Sequence, residues 1–339
     1  MRIIGKMRFL YFTAVILFLF TIKVYAEEDF PINIAVEFTD HAAAAYVSLD
    51  KGWFEDEGIR PTVYSYVTGM SLAAALGRGD IQAAYICLLP AINAYANAGV
   101  PIKIVAGTHK HGYAMTVNPA RIKTVKDLEN PDIRIGCVQA GGPVDAILMK
   151  TIEKYDLDAD RILNKVQRMN PPMQIMAIKM GKLDASFSPE HWPAMAEEYG
   201  FKILLTSQDL WSGMQGSVLI VKEELINNHP DVVRRLVKIL AKATDWINQN
   251  PEEAARVMAG QLQIAGDKIF PSEAAEVAAK LNISPELVLR SMGRMEYTMD
   301  IDPGMVQETI DYAAEQGNIK NSFKTEDILD LRFLNEERK

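Results

Sequence analysis

Four of the five histidines, His41, His109, His111 and His191, stand where the chain reads as loops at strand ends or as a crossing between its halves, and His229 sits at a helix start elsewhere. Imidazole groups there could titrate near neutrality, or ligate a metal together with Asp40 or Glu190. The histidines nevertheless come from different loops, with no HxxxH or HxH pair on one helix, so neither a metal nor another cofactor is expected. No Ser-His-Asp or Cys-His spacing points to a nucleophile, although spacing does not exclude one.

Five short segments carry the remaining chemistry. Thr39, Asp40 and His41 offer a hydrogen-bonding floor, although Thr39 also suits a helix cap. Tyr66 and Thr68 precede Gly69, which permits close backbone approach. Cys87, Leu88 and Leu89 form a more apolar wall, unsuited to a small, strongly hydrated anion. Gln139, Gly141 and Gly142 belong to a turn opening a helix whose N–H groups could meet an anion or carbonyl oxygen; Pro143 removes one donor. Ser188, Glu190, His191 and Trp192 combine an acceptor with a stacking face, a pair suited to a flat, amine-bearing or heteroaromatic molecule.

Those segments need elements to position them. Short apolar runs alternate with helical patterns from Ile32 to Thr206, the signature of an α/β chain. A first series holds strands at 32–38, 61–67, 80–86 and 102–106. A second holds strands at 133–138, 183–187 and 201–206. Extended crossings near 108–118 and 213–221 join them, so the chain leaves one lobe, builds a second and returns, with a cleft and hinge between. Ligands in open α/β sheets sit beyond the carboxyl ends of strands, and all five segments lie there. From Pro251 onward the pattern is mostly helical. Trp211, Met214 and Gln215 either border the cleft or pack in a core.

The chain has 339 residues, 49% hydrophobic and 24% charged, with a net charge of −8. Its start is basic (Arg2, Lys6, Arg8), and Phe9–Ile22 then carries no charge, about 14 residues against roughly 20 for a bilayer span. Val24 and Ala26 fit cleavage before Glu27, so residues 1–26 read as a signal peptide. Removing them takes away four basic groups (Arg2, Lys6, Arg8 and Lys23) and turns −8 into −12, a field that repels nucleic acid. The only cysteines, Cys87 and Cys137, lie far from that site, so no lipid anchor is expected. They fall in opposite lobes and read as separate thiols.

Particular runs resemble a known family. Lys51-Gly52-Trp53-Phe54-Glu55-Asp56-Glu57-Gly58-Ile59 is similar to its KGYFKEEGL segment. Gly79-Asp80-Ile81-Gln82-Ala83-Ala84-Tyr85, with Ala94 and Gly99–Val105, resembles GDADIG…A…GAPVKIV, and Gly181–Ala185 resembles GKVDA. The family is the NMT1-like group (nitrate, sulfonate, bicarbonate and thiamine-pyrimidine precursor) of periplasmic solute-binding proteins of ABC transporters. The resemblance covers about 30–250. It implies a two-lobe type II periplasmic binding protein fold with two hinge crossings and a helical C-terminal tail: residues 27–110 and 214–339 in lobe one, 111–213 in lobe two. It further implies a periplasmic, monomeric protein that passes a small solute to a cognate permease. The chain has no GxxxxGK[ST] loop and is not itself the ATPase. The uncharged walls favour a neutral or amine-bearing solute such as a thiamine-precursor pyrimidine over nitrate, alkanesulfonate or taurine. A pyrimidine synthase on the same fold carries a cysteine-rich motif where Ile86-Cys87-Leu88-Leu89-Pro90 stands here; a sensory ligand-binding module is a further class.

Overall fold

The computed structural model describes residues 29–269 and 283–339; the expected signal peptide, residues 1–26, lies outside them. Two sheets form. The first contains β1 (Phe30–Glu37), β2 (Ile59–Tyr66), β3 (Ala83–Cys87), β4 (Ile102–His111), β10 (Gln215–Lys222) and β11 (Met295–Tyr297), in the order β11-β4-β10-β3-β1-β2. The second contains β5 (Tyr113–Val117), β6 (Ile135–Cys137), β7 (Val166–Arg168), β8 (Ala185–Pro189) and β9 (Lys202–Thr206), ordered β7-β6-β8-β5-β9.

Pairing is parallel where a helix intervenes, as in β1 with β2 and β3, and antiparallel for the strands that enter or leave a sheet, β5 and β10. Helices cover the central strands, of which β3 is buried along its whole length and β10 in all but its last residue, whereas the edge strand β2 alternates between at least partly buried and exposed residues. Between β1 and β2 the chain turns at Gly52 and Gly58, both with φ near +65° (69° and 64°), a region glycine enters without steric cost. The run 51–59 is thus punctuation that brings β2 beside β1. Asp184 has a comparable structural task. Its buried carboxylate takes two bonds of 2.8 Å from the Arg134 guanidinium and one of 3.1 Å from Arg121, tying β8 to the start of β6.

The chain passes between sheets at two places that touch. Gly112 (φ 89°) separates β4 from β5, and the N–H of His111 donates to the carbonyl of Met214 at 3.0 Å, just before β10. The expected crossing over 108–118 is therefore two strands in different sheets with one glycine between them.

The C-terminal part is mostly helical, as the sequence suggests, with one short strand added. β7 and β11, three residues each, have no detectable period, and β11 pairs with β4 at the sheet edge. Pro303–Glu315 and its neighbours reach both lobes: Tyr312 meets Trp211 edge-on with ring centroids 5.2 Å apart and donates to Glu153 at 3.2 Å, while Ile328 and Asp330 bond to Ile104 of β4. Trp211, Met214 and Gln215 are all buried in this packing. Among the described residues no helix is long and apolar enough to cross a membrane.

Candidate functional site

The carboxyl ends of β1, β2 and β3 are adjacent in the first sheet, which places Glu37, Tyr66 and Cys87 side by side. The second sheet presents the ends of β6 and β8 toward them. A cavity of about 40 Å³ lies between, lined by Glu37, Thr39, Thr68, Gly69 and Cys87 on one side and by Tyr113, Gln139, Gly142, Pro143, Val144 and Pro189 on the other. No lysine or arginine lines it.

Thr39 and Thr68 face the cavity while capping. Thr39 Oγ1 accepts the N–H of His41 at 3.1 Å, and Thr68 forms a capping box with Ser71 at the start of Gly69–Arg78. The helix start at 142–143 is less open to an anion than the sequence suggests. Gly141 donates its N–H to Asp145 Oδ2 at 3.0 Å, and Asp145 is paired with Arg168, so a carboxylate already occupies that end of the dipole. The Gly141 carbonyl instead accepts from Asn93 of the other lobe at 3.2 Å, a contact made only with the lobes together.

Glu37 is the residue the sequence reading missed. It is wholly buried, accepts the Cys87 N–H at 2.8 Å on Oε1 and the Cys87 thiol at 2.9 Å on Oε2, and burial raises its carboxyl above the ordinary range. The signal was present: one carboxylate ends an otherwise apolar buried strand, and an unpaired buried charge is costly unless a ligand or partner meets it. Tyr113 was also missed, although it begins the crossing strand and donates to Cys87 Sγ at 3.0 Å.

Other expected residues lie behind the cavity wall. Leu88 and Ser188 are buried, Tyr66 is half-buried, and none of the three lines the cavity. Trp192 is 0% exposed, with its ring against Phe38 (6.0 Å) and His191 (4.6 Å), so its stacking faces belong to the core. His41 is buried next to Cys87, its Nε2 donating to the Gly112 carbonyl at 2.8 Å, and burial lowers its pKa to about 4. Cys87 and Cys137 are free, buried and in different sheets.

Asp40 and Glu190 form a separate cluster at the crossing. Ser291 Oγ bridges them, bonding Asp40 Oδ2 and, at 3.1 Å, Glu190 Oε2, while Arg294 pairs with Glu190 at 3.3 Å. The partners come from the C-terminal region, far away in sequence, which is why no motif announced them. Burial raises Glu190 to about 7 despite Arg294 and Ser291; burial and then the Glu190 charge raise Asp40 to about 8. A carboxyl raised in this way holds its proton in the folded state after the unfolded chain has released it. Its contribution to stability therefore falls as pH climbs from 4.5 to about 7. Glu190→Gln is expected to flatten that fall by up to about 1.4 kcal/mol per pH unit. Melts of both proteins from about pH 4.5 to about 7.5 check it, and parallel curves would remove Glu190 as the cause.

Two lobes with facing strand ends and a cavity between them define a two-lobe ligand-binding protein of periplasmic binding protein fold. The chain belongs to the NMT1-like family, whose model matches residues 26–263. It is 27% identical over 193 residues (53% of this chain) to the nitrate import ATP-binding protein NrtC of Synechocystis, and spans only 26% of that protein's length. It is 24% identical to the taurine-binding periplasmic protein of Escherichia coli, over 65% of this chain and 68% of that one. Among solved structures it resembles the ligand binding component of an ABC-type import system from Staphylococcus aureus, crystallised with zinc bound. The TM-score is 0.72 at 18% identity, covering 91% of this chain and 99% of the other.

Proposed function

We propose that this protein is the extracytoplasmic substrate-binding component of an ABC importer. It acts in the periplasm as a monomer and without catalysis, holding a small solute between its lobes for a cognate permease. The relatives support the class, one being a nitrate import ATP-binding protein, one a taurine-binding periplasmic protein and one the ligand binding component of an ABC-type import system. Delivery follows if the solute binds the closed arrangement better than an open one, since only a differential affinity can shift that equilibrium.

The observation that carries the solute class is Glu37. A cavity with a buried carboxylate and no lysine or arginine in its lining favours a guest that brings positive charge or N–H donors. Amine-bearing solutes fit, a thiamine-precursor aminopyrimidine among them. At about 40 Å³ the closed cavity admits only the donor end of such a molecule, so the lobes part further for the rest. The second reading, a nitrate- or taurine-type solute, draws on the names of the relatives. Taurine carries an ammonium for Glu37. Nitrate does not, and it would also meet Asp145 at the helix start.

A thermal-shift series with aminopyrimidines, taurine, alkanesulfonates, nitrate and bicarbonate tests this. At 100 times its dissociation constant the true solute adds about 2.7 kcal/mol of stability. The expected result is a shift with amine-bearing compounds and none with nitrate or bicarbonate. A shift with nitrate alone would overturn the assignment of Glu37.

A further inference from the structure

We infer that Glu37, His41 and Cys87 form a binding site for one divalent transition-metal ion of zinc type on the wall of the cleft. This inference rests on reading the cavity as the ligand site, and adds a resident cation there that the sequence, with its histidines scattered over loops, did not suggest.

The three side chains come from the end of β1, the turn after it and the end of β3, neighbours in the sheet. Their ligand atoms all lie within 4.8 Å of one another. Cys87 Sγ is 2.9 Å from Glu37 Oε2 and 3.7 Å from His41 Nδ1. Around a tetrahedral zinc, with bonds of about 2.0–2.3 Å, ligand atoms stand about 3.3–3.8 Å apart, so a small outward shift of Oε2 admits the ion. One thiolate, one imidazole and one carboxylate make a set that zinc and cobalt accept and that calcium or magnesium do not prefer.

The surroundings fix the His41 tautomer and one Glu37 oxygen, while the Cys87 thiol, which donates its proton to Glu37, must give that proton up to bind a metal. The Gly112 carbonyl can only accept, so the proton of His41 is on Nε2 and the Nδ1 lone pair faces Cys87. Metal-bound histidines are commonly oriented by such a bond from the other ring nitrogen. The Cys87 N–H holds Glu37 Oε1 at 2.8 Å and leaves Oε2 for the ion. Tyr113 donates to Cys87 Sγ at 3.0 Å, a bond suited to a thiolate. Glu37 and Cys87 also line the cavity, so the fourth position faces the cleft, where a nitrogen or oxygen donor of the solute can fill it. A cation there supplies the positive charge that the buried carboxylate otherwise lacks. On binding, the Cys87 thiol loses its proton to solvent, one proton released per ion.

Cobalt titration of the metal-stripped full chain tests the site. Expected are one Co²⁺ per chain, a near-ultraviolet thiolate-to-cobalt absorption with visible bands of tetrahedral type, displacement by Zn²⁺, and one proton released. Cys87→Ser and His41→Ala are expected to abolish or strongly weaken the near-ultraviolet band, and Cys137→Ser to keep it. No such band in the wild type overturns the proposal whether or not the variants fold, and so does a band that persists in Cys87→Ser or vanishes in Cys137→Ser. The solute series repeated with and without Zn²⁺ separates the two readings. Metal binding with no solute response sinks the amine-solute reading and leaves the metal site; a solute response without the cobalt band does the reverse.

Discussion

Glu37→Gln is expected to stabilise the unliganded protein and to cost it most of its solute affinity. Both effects have one cause. The carboxylate is buried, burial raises its pKa, and among the described residues its hydrogen bonds come from the N–H and thiol of Cys87. Gln keeps an acceptor for Cys87 and removes the charge, which should recover about 1–3 kcal/mol of desolvation. A solute that places an ammonium or N–H group against Glu37 loses its charge partner in the same substitution. Truncating one side of a buried charged pair costs about 2–5 kcal/mol, or roughly 30-fold to several thousand-fold in affinity. Scanning and titration calorimetry on one preparation read both quantities. A variant that binds as well as wild type would assign Glu37 to structure alone; a fall in melting temperature would contradict the desolvation argument.

The second large effect concerns Trp192, expected from sequence to stack on a solute. Its ring is enclosed by Phe38 and His191 and is 0% exposed, so Trp192→Ala opens a core cavity. The expected cost is about 3–5 kcal/mol, a fall in Tm on the order of 10 °C for a chain of this size. Trp192→Phe preserves most of the filling and deletes an indole N–H that has no partner among the described residues. Its cost should stay below about 2 kcal/mol. Titration calorimetry of the Phe variant then separates the roles: solute affinity close to wild type is expected, whereas a loss of tenfold or more would return the indole to the binding surface.

These two residues show where strand-end reasoning and the observed geometry part. Strand-end logic named Thr39, Thr68, Cys87, Gln139 and Gly142, and all five line the cavity, because a strand's carboxyl end and the turn after it are fixed by local pattern. The same logic passed over Glu37, counted as the tail of an apolar run, and gave Trp192 to the cleft as part of the loop after β8. Whether a side chain after a strand faces the cleft or the core depends on which helices cover it, and that is a tertiary matter.

Alternation of short apolar runs with helical periods determined an α/β chain in two series, and the glycines at 52 and 58 determined the turns between the first strands. These are local properties, set by backbone sterics and by which faces must leave water. The partners of Glu190 were decided only by the fold, which brings Ser291 and Arg294 about a hundred residues along the chain to a carboxylate beside Gly112. The trio Glu37, His41 and Cys87 was likewise decided by sheet order, since β3 lies next to β1 while 50 residues separate Glu37 from Cys87 in the chain. Contacts of that range depend on which strands pair, and pairing is settled by the burial of the whole core, not by any one segment's pattern.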